Sequence, residues 1–436
     1  MDWENWNRWT LRELPRLNSV ILVGDASVEV LTDELRRVVL QHLPAPDALS
    51  ATDARRLLVI LGLAGASVAR HRQEADLSLK ERPNRSFAGL ATGPDGMPFL
   101  EYFAALAAAS RTGHPPRDCY ASLVRWNGPE TRVQDFGETV AVLPGSFGDP
   151  TFRTYTQDAG ERAFFELLKK SEALELAANE LLEPLAAGSI GILSPDASRR
   201  AVGAARLLAA LIRLNQDFAN RPSAHGGLSA VHFMDVFRQF AVHWRTGDLP
   251  PSGAQDPEFL RRDLLLGIDL PAYPDQVRRI FPALLDCERA ALERCLGRVP
   301  LPTVLLDALG LSVSDIANAP PARLLGMARA HPQLAAWGLL LGANAKFGAV
   351  HLMLTEKYLF KPQRARDQAG RGDRALVSNR RGTTGMDEPL LVRLTRARRS
   401  HPLRAVLGLP PRELAGLCGL KSIDFAGTTL PEVQLA

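Results

Sequence analysis

Hydrophobic residues recur at intervals of three and four along most of the chain, the spacing that gathers them on one face of an α-helix. Eight segments carry this pattern: 53–71, 98–111, 159–187, 197–220, 228–244, 258–268, 273–297 and 332–361. Clusters of proline and glycine predict where helices end: 249–253, 270–274 and 298–302. Alternation typical of strands is scarce, and only residues 131–143 (TRVQDFGETVAVL) predict a short hairpin. The pattern therefore predicts a mainly α-helical fold.

The length of 436 residues allows two or three domains. Residues 144–160 (PGSFGDPTFRTYTQDAG) are rich in turn-forming residues and predict a domain boundary. We expect a smaller N-terminal helical domain over residues 1–150 and a larger helical domain over residues 151–436. Within the larger domain, residues 362–388 are polar and lack apolar periodicity, which predicts a long mobile loop.

Composition excludes several classes of protein. Hydrophobic residues make up 46% of the chain and charged residues 23%, values typical of a folded globular protein. Four cysteines without a CxxC motif indicate a reducing compartment. The N-terminal residues lack a signal-peptide pattern, and polar residues interrupt the longest apolar run, 334–354, which favours a core helix over a membrane span. We therefore expect a cytoplasmic protein without a membrane partner.

The net charge of +4 is unevenly distributed. Residues 361–404 hold twelve Lys and Arg against four Asp and Glu, a surplus of eight positive charges. Basic segments of this kind are sometimes nucleic-acid sites. This one lacks interleaved aromatic residues and a helix-turn-helix pattern, so it favours a solvated surface without a nucleic-acid partner.

The common catalytic motifs are absent from the sequence: GxxxxGK[ST], HExxH, GxSxG and a strand-linked GxGxxG. Chemistry in a helical protein of this kind is usually located in a cavity between helices. The segment around His351 is the first candidate, because Asn344, Ala345 and Gly348 share its helix face and leave room for a flat group. A neutral imidazole there can ligate haem iron. The alternative is a core histidine with one hydrogen bond.

A second candidate is Arg238, which lies within an aromatic stripe typical of core packing: Phe233, Phe237, Phe240 and Trp244. A buried arginine requires an anionic partner. That partner is either the carboxylate of a ligand or a structural aspartate such as Asp235 or Asp263. A third candidate is the segment 380–385 (RRGTTG), whose backbone N–H groups and hydroxyls suit the polar end of a ligand, although such tracts are often only flexible.

These features, in this order, resemble the indoleamine 2,3-dioxygenase family and its relative monodechloroaminopyrrolnitrin synthase. The stretch FGAVHLMLTEKYLFKP is similar to the family's proximal helix, which implies that His351 is the axial ligand of a non-covalent haem b. The stretch RGTTGMDEPLLVRLTRAR is similar to the segment that closes over the substrate, which implies substrate contacts from Gly382 and Thr383.

Further matches extend the resemblance over residues 50–410. The stretch FMDVFRQFAVHW resembles the distal-pocket helix, which implies that Phe233 contacts the substrate and Arg238 holds its carboxylate. AFFELL implies a distal aromatic wall at Phe164. The stretch SGAQDPEFLRRDLLLGI implies three residues beside the haem: Ser252, Gly253 and Ala254. More loosely, residues 120–126 resemble the segment of the smaller domain that covers the distal pocket.

Three positions depart from the family pattern. Gly348 belongs to the implied haem pocket but stands where the dioxygenases tend to have an arginine near the haem propionates, so we expect another cation to substitute: Lys346, Arg261 or Arg262. Thr384 replaces a glycine of the closing segment, and Leu168 occupies a distal position that is often small and polar.

The resemblance implies a haem-dependent oxygenase that uses O2 to cleave the indole C2–C3 bond of tryptophan or an indole derivative. Its partners would be the tryptophan-like molecule, O2 and an electron donor that keeps the haem ferrous. One alternative is a haem enzyme that rearranges or mono-oxygenates a modified tryptophan in natural-product biosynthesis. Another is a non-catalytic haem- or gas-binding module.

Overall fold

The computed structural model describes residues 2–268, 270–370, 376–377, 388–425 and 428–435. It is 66% helix and 5% strand, which confirms the predicted mainly α class. None of the described helices combines the length and apolar character needed to cross a lipid bilayer. All four cysteines are free thiols.

The N-terminal part of the chain packs around a long buried helix. Its elements are α1 (Trp3–Arg8), α2 (Leu14–Leu22), α3 (Val28–Val38), α4 (Ala51–Ala75), α5 (Phe99–Ala109) and the short antiparallel pair β1 (Ala91–Thr92) and β2 (Met97–Pro98). Ser50 caps the start of α4, since its hydroxyl accepts from the amide of Asp53 over 3.1 Å. Gly65 of α4 lets the indole of Trp244 approach the helix closely, since a Cβ there would lie 2.7 Å from Cη2 of Trp244.

The predicted hairpin is present as β3 (Thr131–Asp135) and β4 (Glu138–Leu143), paired antiparallel with Thr131 opposite Leu143. A third strand that the sequence did not predict, β5 (Glu432–Leu435), pairs antiparallel with β3. Val133 and Leu143 belong to the same core cluster as the helices after residue 159. The hairpin therefore packs with the C-terminal helices, and the proposed domain boundary near residue 150 stays a prediction.

The larger part of the chain is built from packed helices. They are α6 (Ala159–Ala186), α7 (Pro195–Asn220), α8 (Ala230–Asp235), α9 (Pro257–Leu266), α10 (Tyr273–Arg279), α11 (Asp286–Leu296), α12 (Leu301–Leu309), α13 (Val313–Ala317), α14 (Pro321–Ala330), α15 (Gln333–Thr355), α16 (Lys361–Gln368), α17 (Glu388–Arg399) and α18 (Pro411–Leu417). Helix α7 packs against both α6 and α15. Helix α15 contains the long apolar run, and most of its residues are buried, as expected for a core helix.

The predicted helix over residues 228–244 was wrong. Helix α8 ends at Asp235, and a 3₁₀ turn follows over Phe237–Phe240. The side chain of Gln239 donates from Nε2 to the carbonyl of Met234 over 2.8 Å, so a side chain replaces the backbone donor that a continuing helix would supply. The chain therefore turns at the position of Arg238.

Two further predicted elements need correction. Residues 273–297 form α10, a 3₁₀ turn (Phe281–Ala283) and α11, because Pro282 cannot donate to a continuing helix. The predicted loop over residues 362–388 begins as helix α16, which continues from α15 through the π-helical turn Glu356–Phe360. Residues 371–375 and 378–387 lie outside the described residues, so the mobility of this loop stays a prediction.

Candidate functional site

Two cavities meet between α6, α8, α9 and α15. The cavity beside His351, here called the His351 cavity, has a volume of about 220 Å³, and the cavity beside Arg238, the Arg238 cavity, has a volume of about 150 Å³. The shared wall is formed by six residues: Phe164, Leu168, Phe233, Ser252, Gly253 and Leu359. The two predicted anchors therefore lie in adjacent cavities, one on each side of this wall.

His351 lies near the C-terminal end of α15 and lines its cavity. Its ring centroid lies 5.5 Å from that of Phe259 and 6.2 Å from that of Phe347. No described residue forms a hydrogen bond with its imidazole nitrogens, which argues against the alternative of a core histidine with a bonded partner. Burial, followed by the charge of Arg398, lowers the pKa of His351 to about 4. The imidazole is therefore neutral at pH 7 and able to ligate a metal.

The segment predicted to lie beside the haem does line the His351 cavity. Ser252 begins a 3₁₀ turn, Gly253–Gln255, and its hydroxyl accepts from the amide of Ala254 over 3.3 Å. The side chain of Gln255 accepts from the amide of Ser252 over 3.2 Å and so closes the turn. Ser252, Gly253 and Ala254 present small side chains and backbone to the same cavity as His351, which leaves room for a flat group.

Gly348 does not line either cavity, contrary to its predicted role in the haem pocket. A Cβ at Gly348 would lie 3.0 Å from Cδ of Arg398. Arg398, on α17, donates from Nε to Oδ1 of Asp263 over 3.0 Å and from Nη2 to Oδ2 of the same carboxylate. Both side chains are buried. The hydroxyl of Tyr273 donates to the same carboxylate over 3.0 Å. The space left by the missing side chain at Gly348 is therefore occupied by an arginine from α17.

None of the three cations expected to replace an arginine at that position lines the His351 cavity. Lys346 is exposed and lines a separate surface depression. Arg261 pairs with Glu183 over 2.8 Å, and Arg262 is fully buried and pairs with Glu175 over 2.7 Å. The described lining of the cavity contains no lysine or arginine.

Arg238 lies in the 3₁₀ turn that ends α8 and is 7% exposed. It is the single charged residue in the described lining of its cavity. Burial lowers its pKa to about 10, so it carries its charge at pH 7. The two aspartates considered as structural partners bind other arginines: Asp235 pairs with Arg366, and Asp263 with Arg398.

Aromatic rings form the walls of the Arg238 cavity. The ring centroids of Phe164 and Phe233 lie 5.5 Å apart, as do those of Phe164 and Phe237. Phe164 and Phe233 were predicted from the sequence, whereas Phe237 was interpreted as core packing because it belongs to the stripe of aromatic residues. Leu168, one of the departures from the family pattern, also lines the shared wall. The resulting space is apolar with one cation, which suits a flat aromatic molecule that carries an anionic group.

Two π-helical turns supply residues to the His351 and Arg238 cavities. One, Ala121–Arg125, follows Tyr120 and supplies Leu123 to the Arg238 cavity. The other, Glu356–Phe360, supplies Leu359 to both cavities. Because π-helical turns concentrate at functional sites, their positions agree with a ligand-binding role for this region. Gly382 and Thr383, the predicted contacts from the closing segment, lie outside the described residues and stay predictions.

Sequence reasoning missed a buried group of carboxyl side chains next to the cavities: Glu172, Glu175, Asp256 and Glu288. Arg125 pairs with Glu172 and, over 2.7 Å, with Glu288. Burial raises the pKa of Glu172 to about 8. The sequence held one signal that could have revealed this group: Glu172 and Glu175 lie within the long, largely buried helix α6. A buried carboxylate without a partner would be strongly unfavourable, so these two residues require partners. Within the described residues, no group of three or more His, Cys, Asp and Glu side chains is arranged to hold a metal ion.

No protein-family model matches the chain, and no curated protein is recognisably similar to it. The resemblance to haem-dependent oxygenases therefore depends on the residues themselves.

Proposed function

We propose that this protein is a haem-dependent oxygenase acting on tryptophan or an indole derivative. The observation that supports the proposal best is the neutral imidazole of His351, which has no hydrogen-bond partner among the described residues and lines a cavity adjacent to the Arg238 cavity. A haem iron requires one protein ligand, and a neutral imidazole nitrogen is a common one. The small residues Ser252 to Ala254 line the same cavity as His351 and leave space for the macrocycle.

The chain's own residues would bind and orient the substrate. Arg238 would hold its carboxylate by charge-assisted hydrogen bonds. The rings of Phe164, Phe233 and Phe237 would enclose the indole ring and exclude water from it. When bound, the haem supplies the oxygen chemistry, and the protein supplies position and a dry environment. The leading reaction is cleavage of the indole C2–C3 bond.

The haem ligand is tested with the carbonyl spectrum of the ferrous protein after haem supplementation. Wild type should bind haem stoichiometrically and give the Soret band of a histidine-ligated carbonyl complex. His351→Ala should lose it, and added imidazole should restore it by occupying the vacated position. His331→Ala, at the end of α14 and outside both cavities, is the control and should match wild type. Stoichiometric haem with an unchanged spectrum in His351→Ala would contradict the assignment.

The carboxylate anchor is tested with two ligands that differ only in the group that Arg238 would hold. Truncation of one partner of a buried charge pair costs about 2 kcal/mol or more, which corresponds to about 30-fold in affinity. Arg238→Ala should therefore weaken indole-3-propionate binding at least about 30-fold and leave 3-ethylindole binding nearly unchanged. Exposed Arg213 supplies the control variant Arg213→Ala. Equal losses for both ligands would contradict a carboxylate contact.

Product mass distinguishes the reactions. Two oxygen atoms added to L-tryptophan support ring cleavage, whereas one or none supports mono-oxygenation or rearrangement. A haem complex that converts no indole would contradict the enzyme and favour a haem- or gas-binding module.

A further inference from the structure

Three buried polar side chains connect the two cavities. Tyr120 lines the Arg238 cavity, and its hydroxyl donates to Oδ2 of Asp256 over 3.2 Å. Asp256 and Glu175 both line the His351 cavity, where their carboxyl groups interact with each other. None of the three residues is more than 7% exposed. A continuous polar path therefore runs from the proposed substrate space to Glu175.

The contact between Asp256 and Glu175 requires a shared proton, because two carboxylates have no donor to offer each other. Burial raises the pKa of Glu175 as well, but Nη1 of Arg262 donates to its Oε1 over 2.7 Å and opposes that shift. The negative charge of the pair is therefore better placed on Glu175, which has the arginine, than on Asp256. Asp256 is then the neutral acid that donates to Glu175. Burial and the neighbouring charge of Glu175 raise the pKa of Asp256 well above its usual range.

The position of Asp256 is fixed by the start of α9. Its Oδ1 accepts from the amides of Glu258 and Phe259 over 2.9 and 3.1 Å. Its Oδ2 accepts from the hydroxyl of Tyr120. Each group in the path therefore donates to the next in one direction, from Tyr120 to Asp256 and from Asp256 to Glu175.

We propose that Tyr120, Asp256 and Glu175 form a relay that accepts a proton from an N–H or O–H group of a ligand in the Arg238 cavity. The ligand's N–H or O–H bond breaks and its proton binds the Tyr120 oxygen. The hydroxyl proton of Tyr120 moves to Asp256, and the carboxyl proton of Asp256 moves to Glu175. The ligand keeps the electron pair, so the transfer needs no oxidant or reductant. The inference rests on the proposed function for the identity of the ligand.

The relay accepts a proton only while Glu175 is ionised. The charged groups that interact with the pair are Glu172 of α6, Glu258 and Arg262 of α9 and Arg398 of α17, and His351 of α15 lines the same cavity. Arg125 and Glu288 act on Glu172. The carboxylates favour protonation of the pair, and the arginines oppose it. Asp256 and Glu175 titrate together, so turnover should fall at acid pH with one apparent pKa that belongs to the pair.

The test compares the pH dependence of kcat for L-tryptophan in the haem-loaded wild type and three variants. Tyr120→Phe removes only the hydroxyl, Asp256→Asn keeps the hydrogen bonds at Oδ1 and can donate to Glu175, and Glu175→Gln removes the final acceptor. Each should lower kcat about 100-fold, the usual contribution of a positioned acid or base. Each should also abolish the fall of kcat at acid pH, here called the acid limb of the pH profile. KM should change less than about threefold, because Arg238 is untouched.

The control is Tyr102→Phe, at a buried tyrosine whose hydroxyl donates to the carbonyl of Pro44 over 2.7 Å and which lines neither cavity. It should keep the wild-type kcat and pH profile. Infrared spectra of the protein without haem or ligand provide a second measurement. Because Glu172, with a pKa of about 8, contributes a protonated acid to every variant, the spectra are compared as differences. Wild type and Tyr120→Phe should each show, at pH 7, one protonated carboxylic acid more than Asp256→Asn.

A Tyr120→Phe variant with wild-type kcat and an intact acid limb would overturn the relay, as would the absence of an infrared signal that depends on Asp256. Failure of the wild type to convert any indole would contradict the proposed function instead. The infrared measurement still decides whether Asp256 holds a proton in that case, so the two failures are distinguishable.

Discussion

Acid should destabilise the protein through His351, and replacement of this histidine should remove part of that effect. Burial lowers the pKa of His351 from 6.5 to about 4 in the folded protein. As the pH falls through 6.5, the unfolded chain binds a proton at this position and the folded protein does not, so unfolding becomes more favourable. The loss ends below about pH 4, where both states are protonated.

The magnitude follows from the two pKa values. A pH of 5 lies 1.5 units below the pKa of the histidine in the unfolded chain. At about 1.36 kcal/mol per unit, protonation of the unfolded chain then costs the folded state about 2 kcal/mol of stability. The full effect, over 2.5 units, is about 3.4 kcal/mol. The free energy of unfolding of His351→Leu relative to wild type should therefore increase by about 2 kcal/mol between pH 7.5 and pH 5.

Urea denaturation of the haem-free protein at the two pH values measures this difference. The control is Leu354→Ala, one turn further along α15 and in the same cavity. It should destabilise the protein by about 2–5 kcal/mol at both pH values, because it removes apolar contacts and no titratable group. If the difference between His351→Leu and wild type stays constant between pH 7.5 and pH 5, the imidazole is not held in its neutral form and the reasoning fails.

Two further predictions concern stability and are measured by urea denaturation at pH 7. Arg398→Ala should lower the free energy of unfolding by about 3–5 kcal/mol, because it leaves the buried Asp263 carboxylate without its cation. Combining it with Asp263→Asn should recover part of that loss. A loss below about 1 kcal/mol in Arg398→Ala would contradict a buried ion pair. Gly65→Ala should cost about 1–3 kcal/mol, because its Cβ would overlap Trp244. In contrast, Gly326→Ala in α14, where a Cβ meets nothing, should stabilise the protein by about 0.5–1 kcal/mol, and equal effects would refute the packing argument.

Periodicity predicted the long helices well because packing and periodicity agree there. Helices α4, α6, α7 and α15 occupy nearly the predicted segments. The failure at 228–244 has a local cause that periodicity does not show, since the side chain of Gln239 competes for the carbonyl of Met234. Strand β5 could not be predicted either, because its partner β3 lies about 300 residues earlier in the chain.

The candidate site was predictable where a single residue type carries the chemistry. His351 and Arg238 are unusual residues within apolar helical patterns, and the structure places them in adjacent cavities. The partners of the buried carboxyl groups were not predictable in the same way. Tyr120 and Asp256 are 136 residues apart, and only the packing of their turns brings the hydroxyl within 3.2 Å of the carboxylate.

The surroundings of His351 show why a departure at one position does not leave a defect in the structure. Arg398 occupies the space above Gly348, and it lowers the pKa of His351 by its charge. Asp263 neutralises that charge across a buried ion pair, which keeps the arginine in place and limits the cost of its burial. A Cβ at Gly348 would already lie within 3.0–3.2 Å of the Arg398 side chain, so a long side chain at position 348 and Arg398 in its present position exclude each other. The glycine and the arginine are therefore one structural unit, in which α17 supplies a positive charge that acts on the imidazole through space.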